Sequence, residues 1–409
     1  MNIPLWTLAT VLLLIAFRTL GGLRLGIWQI VLGGALVVLL TGNIHWRDAW
    51  DAIDWEVIGF LFGVLVLGQA LVESGLLARV STRLLGRIRG VDGLVLGVLF
   101  ASGLASALLM NDTLAVIGTP LMLTLARTHR LPPLLLLLAL AFGVTTGSVM
   151  SPIGNPQNLL IALHGGLDGP FPAFLGALAL PSMIGLVLAW GVLRLAFWRS
   201  FHGEALIHDL PPLGDPALAR LAGLGLAGMG LAIALKIALG AEPGAPEVPL
   251  WAVATAACGP ALLASPRRRH LAAGIDWHTL AFFLALFILV RAVWDTGTVQ
   301  AWLPPGPSWA TQVPQILAGS ALLSQLVSNV PLVALAIPLM QDAGADRTAL
   351  LALAAGSTIA GNLTLVGAAS NIIIAQAAER RGEHLGFWRF LAVGAPLTLL
   401  QLLIYRLLL

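Results

Sequence analysis

Residues 110–122 read MNDTLAVIGTPLM, and residues 328–340 read SNVPLVALAIPLM. The two stretches share Asn, Leu, Pro, Leu and Met at matched places. Each interrupts apolar text, and the first carries a carboxylate, Asp112. An ionised Asp at the centre of a membrane helix costs roughly 2.5–3.5 kcal/mol on insertion scales. A charge in that position, inside a sentence written twice, calls for one explanation of both facts.

The surrounding composition sets the solvent. The chain has 409 residues, is 58% hydrophobic and only 10% charged, and has a mean hydropathy of +0.93. Soluble domains carry about 25% charged residues. Runs of about 20 apolar residues, each long enough to cross roughly 30 Å of hydrocarbon, recur along the chain. The composition describes a polytopic membrane protein. The net charge of +3 and pI near 9.9 do not point to nucleic acid, because the arginines lie in short loops between spans. The lone cysteine, Cys258, rules out an internal disulfide. The first residues, MNIPLWTLATVLLLIAF, read as a span rather than a cleaved leader. Ile237 follows the only lysine, Lys236, so there is no Walker A motif; no His-Glu-x-x-His or Gly-x-Ser-x-Gly occurs either. The chain is not read as an enzyme.

The repeat extends beyond the opening pair. DWEVIGFLFGVLVLGQALVESG, residues 54–75, matches DWHTLAFFLALFILVRAVWDTG, residues 276–297. SPIGNPQNLLIA, residues 151–162, matches TLVGAASNIIIA, residues 364–375. The three blocks keep their order, as a duplicated chain requires.

Loop charge then orders the spans. Arg18 and Arg24; Arg79, Arg83, Arg87 and Arg89; Arg127 and Arg130; Arg194 and Arg199; Arg267, Arg268 and Arg269; and Arg380 and Arg381 mark basic connections, expected in the cytoplasm. Acidic loops lie around Asp48 and Asp51, Asp168, and Glu242 and Glu247. The expected fold is an all-α polytopic membrane protein of about ten transmembrane helices. Spans fall near 4–20, 28–41, 57–75, 134–163, 172–196, 217–239, 248–265, 278–296, 349–377 and 388–408. The segments 93–127 and 312–341 are read as re-entrant hairpins. The competing reading makes each of them two ordinary spans or one long one. Five spans and a hairpin per half make two inverted-topology repeats, 1–198 and 217–409, joined by a cytoplasmic linker at 199–216. Both termini fall outside the cytoplasm.

Four polar interruptions remain: the hairpin tips Asn111-Asp112-Thr113 and Ser328-Asn329, and breaks near residues 151–158 and 362–371 in the long spans 134–163 and 349–377. Irregular backbone at membrane depth must be buried in protein or line a cavity, and paired interruptions in two repeats point to a transporter's substrate site. Asn offers donors and acceptors, and half-helix N-termini offer partial positive charge. Asp112, the only carboxylate among these motifs, reads as a proton-coupling or Na⁺-binding group; the plainer reading is a helix cap. Glu73 and Asp295, at matched span ends, read as interfacially solvated, and the histidines show no metal-ligand spacing.

The motifs MNDTLAVIGTPL, SPIGNPQNLLIA, SNVPLVALAIPL and GNLTLVGAASNIIIA resemble the ion-transporter superfamily of ArsB-type arsenite permeases, NhaD sodium/proton antiporters, the melanosomal P protein and divalent anion–sodium symporters. The resemblance covers nearly the whole chain. It implies inverted repeats with broken helices at the midplane and elevator-like movement. It implies a substrate site at Asn111, Asp112, Thr113, Asn155, Asn158, Ser328, Asn329, Thr364, Ser370 and Asn371. The anion symporters carry Ser-Asn-Thr at both tips, whereas this chain has Asn-Asp-Thr and Ser-Asn-Val. An Asn-Asp tip is most similar to the arsenite permeases, and no motif holds Arg or Lys. The expected function is secondary active efflux of arsenite and antimonite by proton antiport, with coupling at Asp112. The alternative is an inorganic anion transporter or sodium/proton antiporter. No cofactor is expected beyond a proton or sodium as coupling ion. Expected partners are the lipid bilayer and a small inorganic solute, with room for a cytoplasmic ATPase subunit and a homodimer. The expected location is the inner (plasma) membrane.

Overall fold

The computed structural model describes residues 2–17, 19–20, 23–24, 26–76, 79–80, 83, 88, 90–202, 214–240, 248–298 and 311–409. Arg18, Arg87, Arg89, Glu242, Glu247 and most of the linker at 199–216 lie outside them. The first half contains α1 (Ile3–Phe17), α2 (Ile27–Leu40), α3 (Trp46–Asp51), α4 (Trp55–Ser74), α5 (Val91–Leu108), α6 (Asn111–Thr128), α7 (Pro133–Ser148), α8 (Pro156–His164) and α9 (Pro170–Ala196). The second contains α10 (Pro216–Gly240), α11 (Leu250–Ala264), α12 (Arg268–Gly274), α13 (Trp277–Trp294), α14 (Val313–Val327), α15 (Asn329–Asp342), α16 (Arg347–Ile359), α17 (Ala369–Glu379) and α18 (Phe387–Leu408). A two-residue antiparallel ladder, Thr19–Leu20 with Leu23–Arg24, is the one departure from helix among the described elements.

Six helices have the length and apolar character to cross a membrane: α4, α5, α9, α10, α13 and α18. Shorter apolar helices include α1, α2, α7, α11 and α14. Each expected span coincides with a helix or a broken pair. Mid-helix leucines such as Leu180, Leu224 and Leu399 are exposed along the flanks, and Trp46, Trp50, Trp251 and Trp388 are exposed at or beside helix ends. That is the distribution of a lipid-facing surface with interfacial aromatics.

Contacts fix the direction of each helix. Gly103 of α5 touches Gly147 of α7, and further along α5 the Ser106 carbonyl approaches Gly154, beyond the end of α7, while Ser106 Oγ reaches back to donate to Val144 O at 2.7 Å. The side chain of Ser102 and the backbone of Leu99, nearer the start of α5, face Gly143. So α5 and α7 run parallel. In contrast, Asn111 N–H donates to Gly154 O at 3.1 Å while Gly118 faces Leu140, so α6 runs antiparallel to α7. Therefore α5 and α6 enter and return on one face, as a re-entrant pair. Although α5 is long enough to span, its direction excludes one continuous span through α6.

The second half repeats these contacts. Leu317 and Ser320 of α14 face Gly356 of α16, as Leu99 and Ser102 face Gly143. Gln325 Nε2 donates to Ala360 O at 2.8 Å, which makes α14 parallel to α16. The short turn 343–346 returns α15 to the level where α16 begins. Small residues let these backbones approach, the usual basis of helix association in lipid.

The two halves are inverted. Gln341 at the end of α15 donates to His164 O at 2.6 Å, and Leu350 near the start of α16 lies beside Gly165. The broken pair α7–α8 thus ends where α16–α17 begins. On the other face, Arg127 at the end of α6 donates to Arg381 O at 3.0 Å, just beyond α17. The end of α17 therefore meets the start of α7.

A separate apolar cluster joins α1, α2 and α13 through Leu8, Val11, Val31, Val38, Leu286 and Leu289. Asp54 and Asp276 open the matched helices α4 and α13. Each accepts from two N–H groups of the first turn: Asp54 from Glu56 and Val57, Asp276 from His278 and Thr279.

Candidate functional site

All four interruptions are breaks in helix. Leu109 and Met110 separate α5 from α6, and Ser328 separates α14 from α15. Residues 149–155 separate α7 from α8, and 363–368 separate the end of α16 with its short 3₁₀ turn (Ala360–Asn362) from α17. Of the expected site residues only Asn155 caps a helix, accepting from Asn158 N at 2.9 Å. The N-termini of α6, α15 and α17 have no side-chain cap. Asp112 lies in the first turn of α6, where negative charge suits the helix dipole, and caps nothing.

The first break is closed upon itself. Asn158 Nδ2 donates to the carbonyls of Ser148, Val149 and Ser151 at 3.1–3.3 Å. Asn155 Nδ2 reaches Ser148 Oγ at 3.1 Å. Thr358, from α16 of the other half, crosses to this break: its hydroxyl receives Asn155 Nδ2 at 3.2 Å and Gln157 Nε2 at 3.3 Å and donates to Asn158 Oδ1 at 3.3 Å. Asn155 and Asn158 therefore hold the unwound backbone in place.

The second break is built alike but left open. Asn371 Nδ2 donates to Gly361 O at 2.6 Å and Thr364 O at 3.5 Å, the matched role to Asn158. Thr364 Oγ1 donates to Gln325 Oε1 at 2.7 Å. Asn362 Nδ2 reaches Thr146 Oγ1 and Gln401 Oε1 at 3.1 and 2.8 Å. Yet Asn362 Oδ1, Asn371 Oδ1 and Ser370 Oγ are buried with no hydrogen-bond partner. The same holds for Asn111 Oδ1 and Asn329 Oδ1 at the two tips, for Ser324 Oγ one turn before the second tip, and for Thr145 Oγ1, whose side chain faces Gly361 at the second break. Buried polar atoms are nearly always paired, and an unpaired one costs about 1–3 kcal/mol.

The remaining expected residues divide. Thr113 packs on Gly68 of α4, where an added methyl would lie 2.6 Å from Thr113 Cγ2. Asp112 and Thr113 line a cavity of about 170 Å³ with Gln69 and Asp276. A second cavity, of about 350 Å³, reaches Pro152 and Ile153 from the face where α8 ends, lined also by Glu56 and Lys236. Ser328 lies at φ 72°, ψ 152°, a region kept almost wholly for glycine.

Sequence reasoning missed Thr145 and Thr358, and it placed Asn362 at the edge of the second break without assigning it to the site. The two threonines stand the same distance before Asn158 and Asn371, so the repeat itself marks them.

The citrate transporter profile matches residues 11–349. The chain belongs to the citrate transporter family. It is 27% identical to the silicon efflux transporter LSI3 of Oryza sativa subsp. japonica, over 90% of this chain and 88% of that one. It is 29% identical to the inner membrane protein YbiR of Escherichia coli K12, covering 86% and 87%. It is similar in fold to the YdaH transporter of Alcanivorax borkumensis, with a TM-score of 0.58, 16% identity, and 99% and 96% coverage. This member of the family is a secondary transporter, a multi-pass membrane protein and not an enzyme.

Proposed function

We propose that this transporter exports a small undissociated oxyacid, arsenious acid foremost with its antimony analogue, in exchange for protons. The observation carrying this reading is the set of orphaned buried oxygens. Four are amide carbonyls, of Asn111, Asn329, Asn362 and Asn371, which only accept hydrogen bonds. An undissociated triol brings hydroxyl donors to those acceptors. A citrate anion would bring acceptors to acceptors, with no Arg or Lys in the four motifs to offset its charge. The silicon efflux relative supports the same solute chemistry, since silicic acid is also a small neutral polyol. Asp112, at the first tip, is the proton-coupling group.

A second reading is sodium/proton exchange, because amide oxygens beside a carboxylate also form a hard donor set. We place the protein in the inner membrane, with the arginine-rich face cytoplasmic and both termini on the other side, from loop charge.

Everted vesicles test the reading. The expected result is arsenite uptake that rises when the vesicle interior is made acid and collapses with a protonophore. Uptake indifferent to the gradient contradicts antiport. Sodium-dependent proton release without arsenite uptake favours the second reading.

A further inference from the structure

The matched acids Asp54 and Asp276 open corresponding helices but meet different neighbours. Asp54 Oδ2 lies 3.0 Å from His164 Nε2 at the end of α8. The residue matching His164 in the second half is Ala377, so Asp276 has no such partner there. Asp276 instead lines the 170 Å³ cavity that holds Asp112, and the residue matching Asp112 is the apolar Val330. The repeat thus carries one cross-pair of acid with base and, on the opposite face, one of acid with acid.

The groups around Asp276 are these. Its own helix supplies the N–H groups of His278 and Thr279, the Thr279 hydroxyl at 2.7 Å and the His278 ring at 3.6 Å. The α2 residue Trp28 stacks on that ring at 4.8 Å. From α4 comes Gln69, which donates to Glu73 at 2.8 Å, and Glu73 in turn meets His270 of α12 at 3.3 Å. From α6 comes Asp112, and from α17 only the apolar Ile373. The Asp276 side chain is half exposed. The cavity lies along the later part of α4, whose end is on the arginine-rich face, so it separates Asp112 from that face.

We infer that Asp276 is a proton relay: it takes protons from water at the arginine-rich face and passes them across this cavity to and from Asp112. The inference rests on the reading of Asp112 as the coupling group. The step moves one proton between two carboxylates, one gaining it as the other loses it, with no other change of bonds. Asp276 is a positioning and relay residue; it does not touch the solute. Its capping of α13 is separable, because Asn caps as well as Asp.

The test is stopped-flow proton binding by the purified full chain after a pH jump, read with a pH-indicator dye and needing no solute. The wild type should show a proton-binding phase that Asp112→Asn removes. In Asp276→Asn that phase should slow by about tenfold or more, and Asp276→Glu should restore it to within about threefold. Asp54→Asn, on the other face, should leave it at the wild-type rate. A wild-type rate in Asp276→Asn overturns the relay. Persistence of the phase in Asp112→Asn overturns both the relay and the coupling role. Absence of arsenite uptake in vesicles would instead strike the substrate reading alone, while the dye measurement still decides the relay.

Discussion

Asp112 sits in the first turn of α6 without capping it, so its charge serves no local hydrogen-bonding need there. Asp112→Asn keeps shape and polarity and is expected to fold, but to lose gradient-driven transport while retaining arsenite exchange at equal pH; both are read in reconstituted vesicles. Thr358 is the clearest structural residue of the site. Thr358→Val strands groups of Asn155, Gln157 and Asn158 and should cost about 2–4 kcal/mol in detergent unfolding, with Thr358→Ser near wild type. Ser328 holds a left-handed backbone conformation. Ser328→Gly should raise stability by about 1 kcal/mol, measured the same way. At this scale the asparagines were legible because each stands in a polar break in apolar text. Thr145 and Thr358 were not, since a threonine inside a helix sends no signal of its own. Nor could the sequence say that Asn158 faces inward to its own backbone while Asn371 leaves an oxygen open.

Two elements matter most, the hairpins and the broken helices they rest on. Their positions were readable from the repeat and from Pro and Gly at the breaks. Their direction was inferred from loop charge, and it is the packing of α5 along α7 that establishes it independently. That packing depends on Gly103 and Gly147, whose backbones touch. Gly147→Ala places a methyl against backbone, so the cost should exceed the usual 1–3 kcal/mol of overpacking, and a severe loss of folded yield is expected on size-exclusion chromatography. The start of α4 and the end of α8 are joined by Asp54 and His164. Burial raises the Asp54 pKa, but the hydrogen bond from His164, that of Val57 N–H, the charge of His164 and the Glu56 N–H together hold it below the ordinary value. The folded value lies below the unfolded one, so this stabilisation is full above about pH 4 and fades as pH falls through the folded value. Between pH 5 and 3 the wild type should lose more thermal stability than Asp54→Asn.

Over the whole molecule, duplication with inversion gives two similar frames, and function resides in how they differ. The polar side chains of the first break are all paired, with its own backbone and with Thr358 of the other half, whereas the second keeps open oxygens. Asp54 faces a histidine, whereas Asp276 shares a cavity with Asp112. Composition and repeat made the frame legible from text alone; these differences needed the neighbours that folding supplies. Whether the open oxygens read hydroxyl donors is decided by thermal unfolding of the purified protein with arsenious acid, silicic acid or citrate. A ligand at a hundred times its Kd stabilises by about 2.7 kcal/mol. Tm should rise with arsenious acid, rise by less or equally with silicic acid and not rise with citrate, and Asn371→Leu should abolish the rise. Stabilisation by citrate with none by either oxyacid would contradict that reading of the open oxygens.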